Sequence, residues 1–397
     1  MLINREQARV QDGNNYPAPV PGLLGDNIPT TGDVHLYADP GTYYAHKPIL
    51  FADCEGMAGG ESTPSGHFYK EKIESMRKHK PQIKRKLRKP ITWANNSKMQ
   101  SREYAVTTLF PRILYTFSDV VVFILREPRY KHTPPPPPPS SAFPANSIRR
   151  TFQSQVLQRL IKWAAMSIDK SINQPSLPHL VIVINATEAA IDDKLWDIDE
   201  ATRNLLGDYA KSIHEVADLR DILARLEENL GKRIRTTKEL LEHFYSSVAV
   251  VRIPGKGRYM QIDEQVGKLY HLISSKCAKS FAHKEKDRML LNAEKLPQYV
   301  TSAYDHFSRH LDMPFDFAEE ARRHTPLPKD FGGHILNLIL SMYNAHERRK
   351  TNAKALLQRL CLPIASCIML AATRDNIQGK NTLHTASEHP CPSLRAK

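Results

Sequence analysis

The sequence predicts an α/β domain with a mostly parallel sheet, followed by an all-helical domain. Three observations carry this prediction. Five short β-rich runs alternate with helical patterns up to residue 258. The last three of these runs are continuous Val- and Ile-rich stretches, as strands covered on both faces should be. Beyond residue 258 the strand signal stops.

In chain order the strand candidates are Val34–Tyr37, Ile49–Ala52, Val120–Leu125, Leu180–Ile184 and Val248–Ile253. "REYAVTTLFPRILYTF" precedes the third as a helix, and "TFQSQVLQRLIKWAAMSI" precedes the fourth. Before the fifth lies an amphipathic segment with Leu219, Ile222, Leu223, Leu226 and Leu230 on one face. A further helix, "TTKELLEHF", opens with a capping box from Thr236 to Glu239. The helical domain, 259–374, is expected from "YMQIDEQVGKLYHLISSKCAKSF", "PQYVTSAYDHFSRHL", "GGHILNLILSMYNAHE" and "NAKALLQRLCLPIASCIMLAAT". The polar, proline-dotted tail 375–397 reads as disordered.

Two segments interrupt the α/β domain. "KEKIESMRKHKPQIKRKLRK", residues 70–89, holds ten Lys or Arg against two Glu, more than half of the chain's net charge of +14. It suits a solvated basic face, a nuclear-localisation or nucleic-acid patch, or a contact with an anionic surface. Aromatic interleaving of the kind single-strand binders use is missing from it. Residues 129–149 contain six consecutive prolines, 134–139, which can only be extended and cannot join a sheet interior. That stretch reads as a disordered insertion, with a polyproline ligand as the functional alternative.

The bulk numbers narrow the class. A hydrophobic content of 41% and a charged content of 25% over 397 residues suit a globular protein of two domains. No apolar run reaches the roughly 18 residues of a transmembrane segment, and the opening residues lack signal-peptide architecture. The cysteines at 54, 277, 361, 367 and 391 form no CxxC pair. They are expected as free thiols, in a cytoplasmic or nuclear protein. HExxH and GxSxG motifs are absent from the sequence, so zinc-protease and serine-hydrolase chemistry have no support.

"PILFADCEGMAGGE", residues 48–61, carries the candidate chemistry. An apolar strand runs directly into Asp53, followed by Gly56 in the order Asp-x-x-Gly. A carboxylate at a strand's carboxyl end can hold Mg²⁺, usually through water, and a glycine amide can approach a γ-phosphate because no Cβ intrudes. Upstream, "IPTTGDVHLYADP" places Thr30 and Thr31 in a loop before a strand. A threonine hydroxyl there can ligate Mg²⁺, and its backbone can position an attacking water. Downstream, "LVIVINATEAA" ends a strand in Asn185-Ala-Thr-Glu188, similar to an Asn-Lys-x-Asp base-reading loop with a carboxylate at 188 for the guanine edge. "VAVVRIPGKG" ends the last strand in a Gly-rich loop.

Together, Thr30, Gly32, Asp53, Glu55 and Gly56 resemble the GTPase domain of the guanylate-binding and dynamin-like large GTPases, the guanylate-binding branch most closely, and suggest a relative of fungal type. The likeness covers residues 20–255. It implies a P-loop-NTPase-like sheet and a helical domain after it. It also implies GTP and Mg²⁺ as ligands, Thr30 and Asp53 at the metal, and Thr30 beside the attacking water. Gly32, Gly56, Asn185 and Glu188 would meet the nucleotide, with hydrolysis coupled to homodimerisation.

One departure matters more than the match. Gly-x-x-x-x-Gly-Lys-Ser/Thr, the phosphate-binding loop, does not occur; "PGKGR" and "QGKNT" have neither the first glycine nor the hydroxyl in place. The 29 residues before Thr30 offer no strand for it, so the sheet is expected to be incomplete at its N-terminal side and the chain to be truncated or degenerate. Without that cradle the phosphates lose several backbone amides and a lysine charge. Two functions follow as expectations: a GTPase-like protein weakly active or inactive in this form, or a non-catalytic scaffold. The scaffold would act through the basic run and the helical half.

Overall fold

The computed structural model describes residues 1–19, 34–54, 90–126, 161, 176–188, 191–207, 217–287, 289–324, 330–349, 354, 358–367 and 369. The chain divides into two compact units, Met1–Phe315 and Asp316–Lys397.

All five strands form: β1 (His35–Ala38), β2 (Leu50–Asp53), β3 (Val120–Arg126), β4 (His179–Thr187) and β5 (Ser247–Pro254). They do not make one sheet. β3, β4 and β5 pair parallel in that order, whereas β1 and β2 form a separate antiparallel pair, with His35 opposite Asp53 and Ala38 opposite Leu50. The parallel sheet of the α/β domain therefore has three strands, not the five expected.

Side chains of the parallel strands alternate between two apolar layers, as the pleat requires. Leu180, Ile182 and Ile184 of β4 pack with Tyr115, Leu205, Leu240 and Val250 in one layer. Val181 and Val183 pack with Val251, Ile253, Val266, Leu269 and Ile273 in the other. On the first face lie α2 (Phe110–Phe117), α3 (Ile198–Gly207), α4 (Ala217–Leu230) and α5 (Thr237–Phe244). On the second lies α6 (Tyr259–Lys286). Because α6 packs on the sheet, the first unit runs past the expected boundary at residue 258 to Phe315. It also includes α7 (Lys295–Arg309), from which Ser308 O accepts the Thr92 amide at 2.9 Å.

Local sequence explains most of the helix ends. Thr236 Oγ1 accepts the Glu239 amide at 3.1 Å, and Glu239 returns a carboxylate oxygen to the amide of Arg235 at 2.8 Å. Ahead of α2, the residues expected as one helix change pitch: Arg102–Tyr104 are α-helical and Ala105–Leu109 are π-helical. Pro111 supplies no N–H to the preceding turn, and Thr107 Oγ1 bonds back to Glu103 O at 2.7 Å. On α4, Leu223 and Leu226 are buried as expected, but Leu230 at the helix end is exposed.

The N-terminal helix α1 (Leu2–Val10) joins this unit through Arg5, whose Nε donates to Asp263 on α6 at 2.8 Å. The outer edge of β5 is closed at Val250, whose amide donates to Thr202 Oγ1 on α3 at 2.9 Å.

The second unit carries α8 (Phe317–His324) and α9 (Phe331–Arg349), then helical residues 358–367. Its buried Glu320 is met by His324 Nε2 at 2.9 Å and Arg323 Nη1 at 3.6 Å. Among the described residues, no helix is long and apolar enough to cross a membrane. Cys54, Cys277, Cys361 and Cys367 are free thiols. The basic run 70–89, the proline-rich stretch 129–149 and the tail 375–397 lie outside the described residues.

Candidate functional site

The carboxyl ends of the parallel strands are where α/β sheets take ligands, and β4 is irregular there. Its pairing with β5 shifts register between Ile184 and Thr187, so Asn185 and Ala186 bulge from the ladder. Ala186 adopts the left-handed backbone region at φ 59°, which a side chain disfavours. Three hydrogen bonds hold it there. Asn185 Oδ1 accepts the Ala186 amide at 2.8 Å, Thr187 Oγ1 donates to Ile184 O at 3.0 Å, and the Gly255 amide donates to Thr187 O at 3.0 Å.

That last bond fastens the Pro254–Gly257 loop against the end of β4. The loop turns at Gly257, whose φ of 112° suits glycine. Asn185 and Glu188 therefore stand beside the Gly-rich loop of β5, and β4's strained bulge determines how the Asn185 side chain leaves the sheet. The Oδ1 of Asn185 is engaged by the bulge itself, which leaves its amide Nδ2 as the donor for a ligand.

Asp53 ends β2, on a different sheet from Asn185. It shares the half-buried face of the antiparallel pair with Phe51, and Phe51 packs against the layer that contains Val120 and Val122 of β3. The opposite face, with Leu36 and Leu50, is exposed. Thr30, Gly32, Glu55 and Gly56 lie outside the described residues.

Among the described residues, no group of three or more His, Cys, Asp or Glu side chains could hold a metal ion. His306 near the end of α7 and His310 just past it stand four residues apart, a spacing that the motif reading passed over. Their ring centroids are 6.0 Å apart, and His306 Nε2 is 2.9 Å from Met313 O, a bond that fixes the ring as part of the fold.

A second set of polar groups, also missed in the sequence, lies at the opposite, amino-terminal end of the strands. A cleft of 410 Å³ there is lined by Ser176, Leu177, His179, Ser246, Lys279, Ser280 and His283. His179 Nδ1 is 2.8 Å from Ser247 Oγ. Burial, with the nearby charges of Lys276 and Lys279, lowers the His179 pKa below its usual value, against the pull of Asp119. The one available signal was the polar "SLPH" directly ahead of a Val/Ile run.

The chain matches no protein-family profile, no curated protein and no solved structure. The fold and the geometry of these two strand ends are therefore the basis for a functional reading.

Proposed function

We propose that the chain is a GTP-binding α/β protein of the guanylate-binding and dynamin-like type, with weak or no hydrolytic activity in this form. The observation that carries the reading is the bulged end of β4 beside the Gly255 loop. A parallel sheet offers its ligand crevice at that edge, and left-handed Ala186 there is held by three hydrogen bonds around a residue type that gains nothing from the conformation. Asn185 Nδ2 can donate to a base and Glu188 can accept from the guanine N1 and N2 edge.

Magnesium would enter with the nucleotide. Asp53 is one carboxylate, and Mg²⁺ is seldom held by one or two protein ligands without phosphate oxygens. No Gly-x-x-x-x-Gly-Lys-Ser/Thr occurs in this sequence to neutralise the triphosphate, which is why binding is expected to be weak.

Calorimetry with GTP and Mg²⁺ tests the proposal. Weak Mg²⁺-dependent heat that Asp53→Ala and Asn185→Ala each abolish, with ATP inert, supports it. Nucleotide binding indifferent to both substitutions, or equal for GTP and ATP, would sink it.

A further inference from the structure

We infer that the cleft at the amino-terminal ends of β4 and β5 is a binding site for a phosphomonoester oxyanion, separate from the Asn185 edge. Its lining combines cations and hydroxyls without a carboxylate: Ser176, His179, Ser246, Lys279, Ser280 and His283 surround 410 Å³. Tetrahedral oxyanions are held by such mixtures, here with Lys279 as the point charge and the Ser176 hydroxyl and the imidazoles as donors, since the Ser246 and Ser280 hydroxyls donate within the protein.

Two acids stand beside the lining, and both are engaged: Asp287 Oδ2 is 3.3 Å from His283 Nδ1, and Asp119 holds two donors. Asp119 Oδ1 accepts from Ser280 Oγ and from Lys284 Nζ, each at 2.6 Å. Lys279 is left without an ion pair among the described residues, one helical turn before His283 on the same face of α6. The negative end of the α6 dipole lies just beyond and is met by His283, Lys284 and Lys286 in its last turn.

The floor is rigid. Ser246 Oγ donates to Leu177 O at 2.5 Å, the Ser246 amide to Pro178 O at 3.0 Å, and the His179 amide to Asp119 O at 2.9 Å. Ser176 Oγ is buried there with no hydrogen-bond partner among the described residues, a donor in want of an acceptor. Lys276 and Lys279 from α6 both bear on His179, partly offset by Asp119 just ahead of β3, and an anion would lie between these cations.

The test is calorimetry of the full chain with sodium sulfate against sodium chloride at matched ionic strength. Sulfate keeps its charge across pH, so the readout reports the protein alone. One saturable sulfate site is expected, weakened about tenfold by Lys279→Gln and again by His283→Gln, both exposed positions. Lys268→Gln, on the same helix and paired with Glu264, should leave it unchanged, as should Asp53→Ala. Competition by glycerol phosphate would assign a soluble ligand. Retention on phosphatidate vesicles that Lys279→Gln abolishes would assign a lipid headgroup. Sulfate heats equal to chloride, equal losses in the Lys279 and Lys268 variants, or failure of both phosphate probes would overturn the inference. None of these outcomes depends on whether GTP binds.

Discussion

Tyr270 of α6 donates its hydroxyl to Asp39 Oδ2 at 2.9 Å, and Asp39, just past the end of β1, is completely buried. Thr42 Oγ1 donates to the same oxygen at 2.7 Å, while Asp39 Oδ1 has no hydrogen-bond partner among the described residues. Removing the phenol leaves a buried carboxylate less satisfied than before. Tyr270→Phe is therefore expected to cost about 2 kcal/mol of stability, read from urea unfolding. Gly41→Ala should act on the same contact, because a Cβ there would lie 2.5 Å from Tyr270 Oη. The two substitutions share one interaction, so the double variant should lose less than the sum of the singles.

Ala186 offers the opposite sign. Its left-handed φ of 59° costs an alanine what a glycine does not pay. Ala186→Gly is expected to stabilise the protein by about 0.5–1 kcal/mol, provided that the bulge persists. A loss of stability would show that the Ala186 methyl contributes packing greater than the strain.

His179 makes stability sensitive to acid. Its folded pKa is lowered, by burial first and then by Lys276 and Lys279, so the unfolded chain takes up this proton more readily than the folded one. The contribution is present above the unfolded value of about 6.5 and is lost as pH falls below it. Unfolding midpoints compared at pH 7.5 and 5.5 should fall further for the wild type than for His179→Gln. Equal falls would remove His179 from the account.

Thiol reactivity should separate two cysteines. Burial, and secondarily the charge of Asp119, pushes the Cys277 thiol up to about 12. Cys361 is exposed. At pH 8 a thiol reagent should label Cys361 in the folded chain and Cys277 after denaturation, as peptide mapping would show.

The basic run 70–89 is proposed to contact polyanions through charge alone. For about six neutralised phosphates, log affinity should fall with log salt at a slope of about −5. Replacing Lys84, Arg85, Lys86, Arg88 and Lys89 by Ala should flatten that slope. A salt-insensitive interaction would count against the proposal.

Strand positions were legible because β-branched runs such as Leu180–Ile184 have few alternatives once both faces are covered. Four of the five form within one residue of their expected ends, and β4 runs three residues further, to Thr187. Pairing was not legible. Nothing in "HLYA" or "LFAD" distinguishes an isolated antiparallel pair from two strands of one sheet, since partners are chosen by the rest of the chain. The place of α6 was hidden for a related reason: an apolar stripe reports that a helix is covered, not by what. At the end of β4, Asn185 and Glu188 were singled out from residue type. The left-handed Ala186 was not, because alanine is the wrong residue to announce such a backbone.

The contacts of α6 also set an order of events during synthesis. Arg5 and its partner Asp263 are 258 residues apart, and Asp39 and Tyr270 are 231 apart. At roughly 5–20 residues per second, the first strand pair leaves the ribosome about 10–50 s before the helix that anchors it. Through that interval the inward Phe51 is without its final cover, beside Leu36 and Leu50, which stay exposed in the folded chain. The N-terminal segment is thus made early in this unit and secured late, and that interval is when a chaperone would find it.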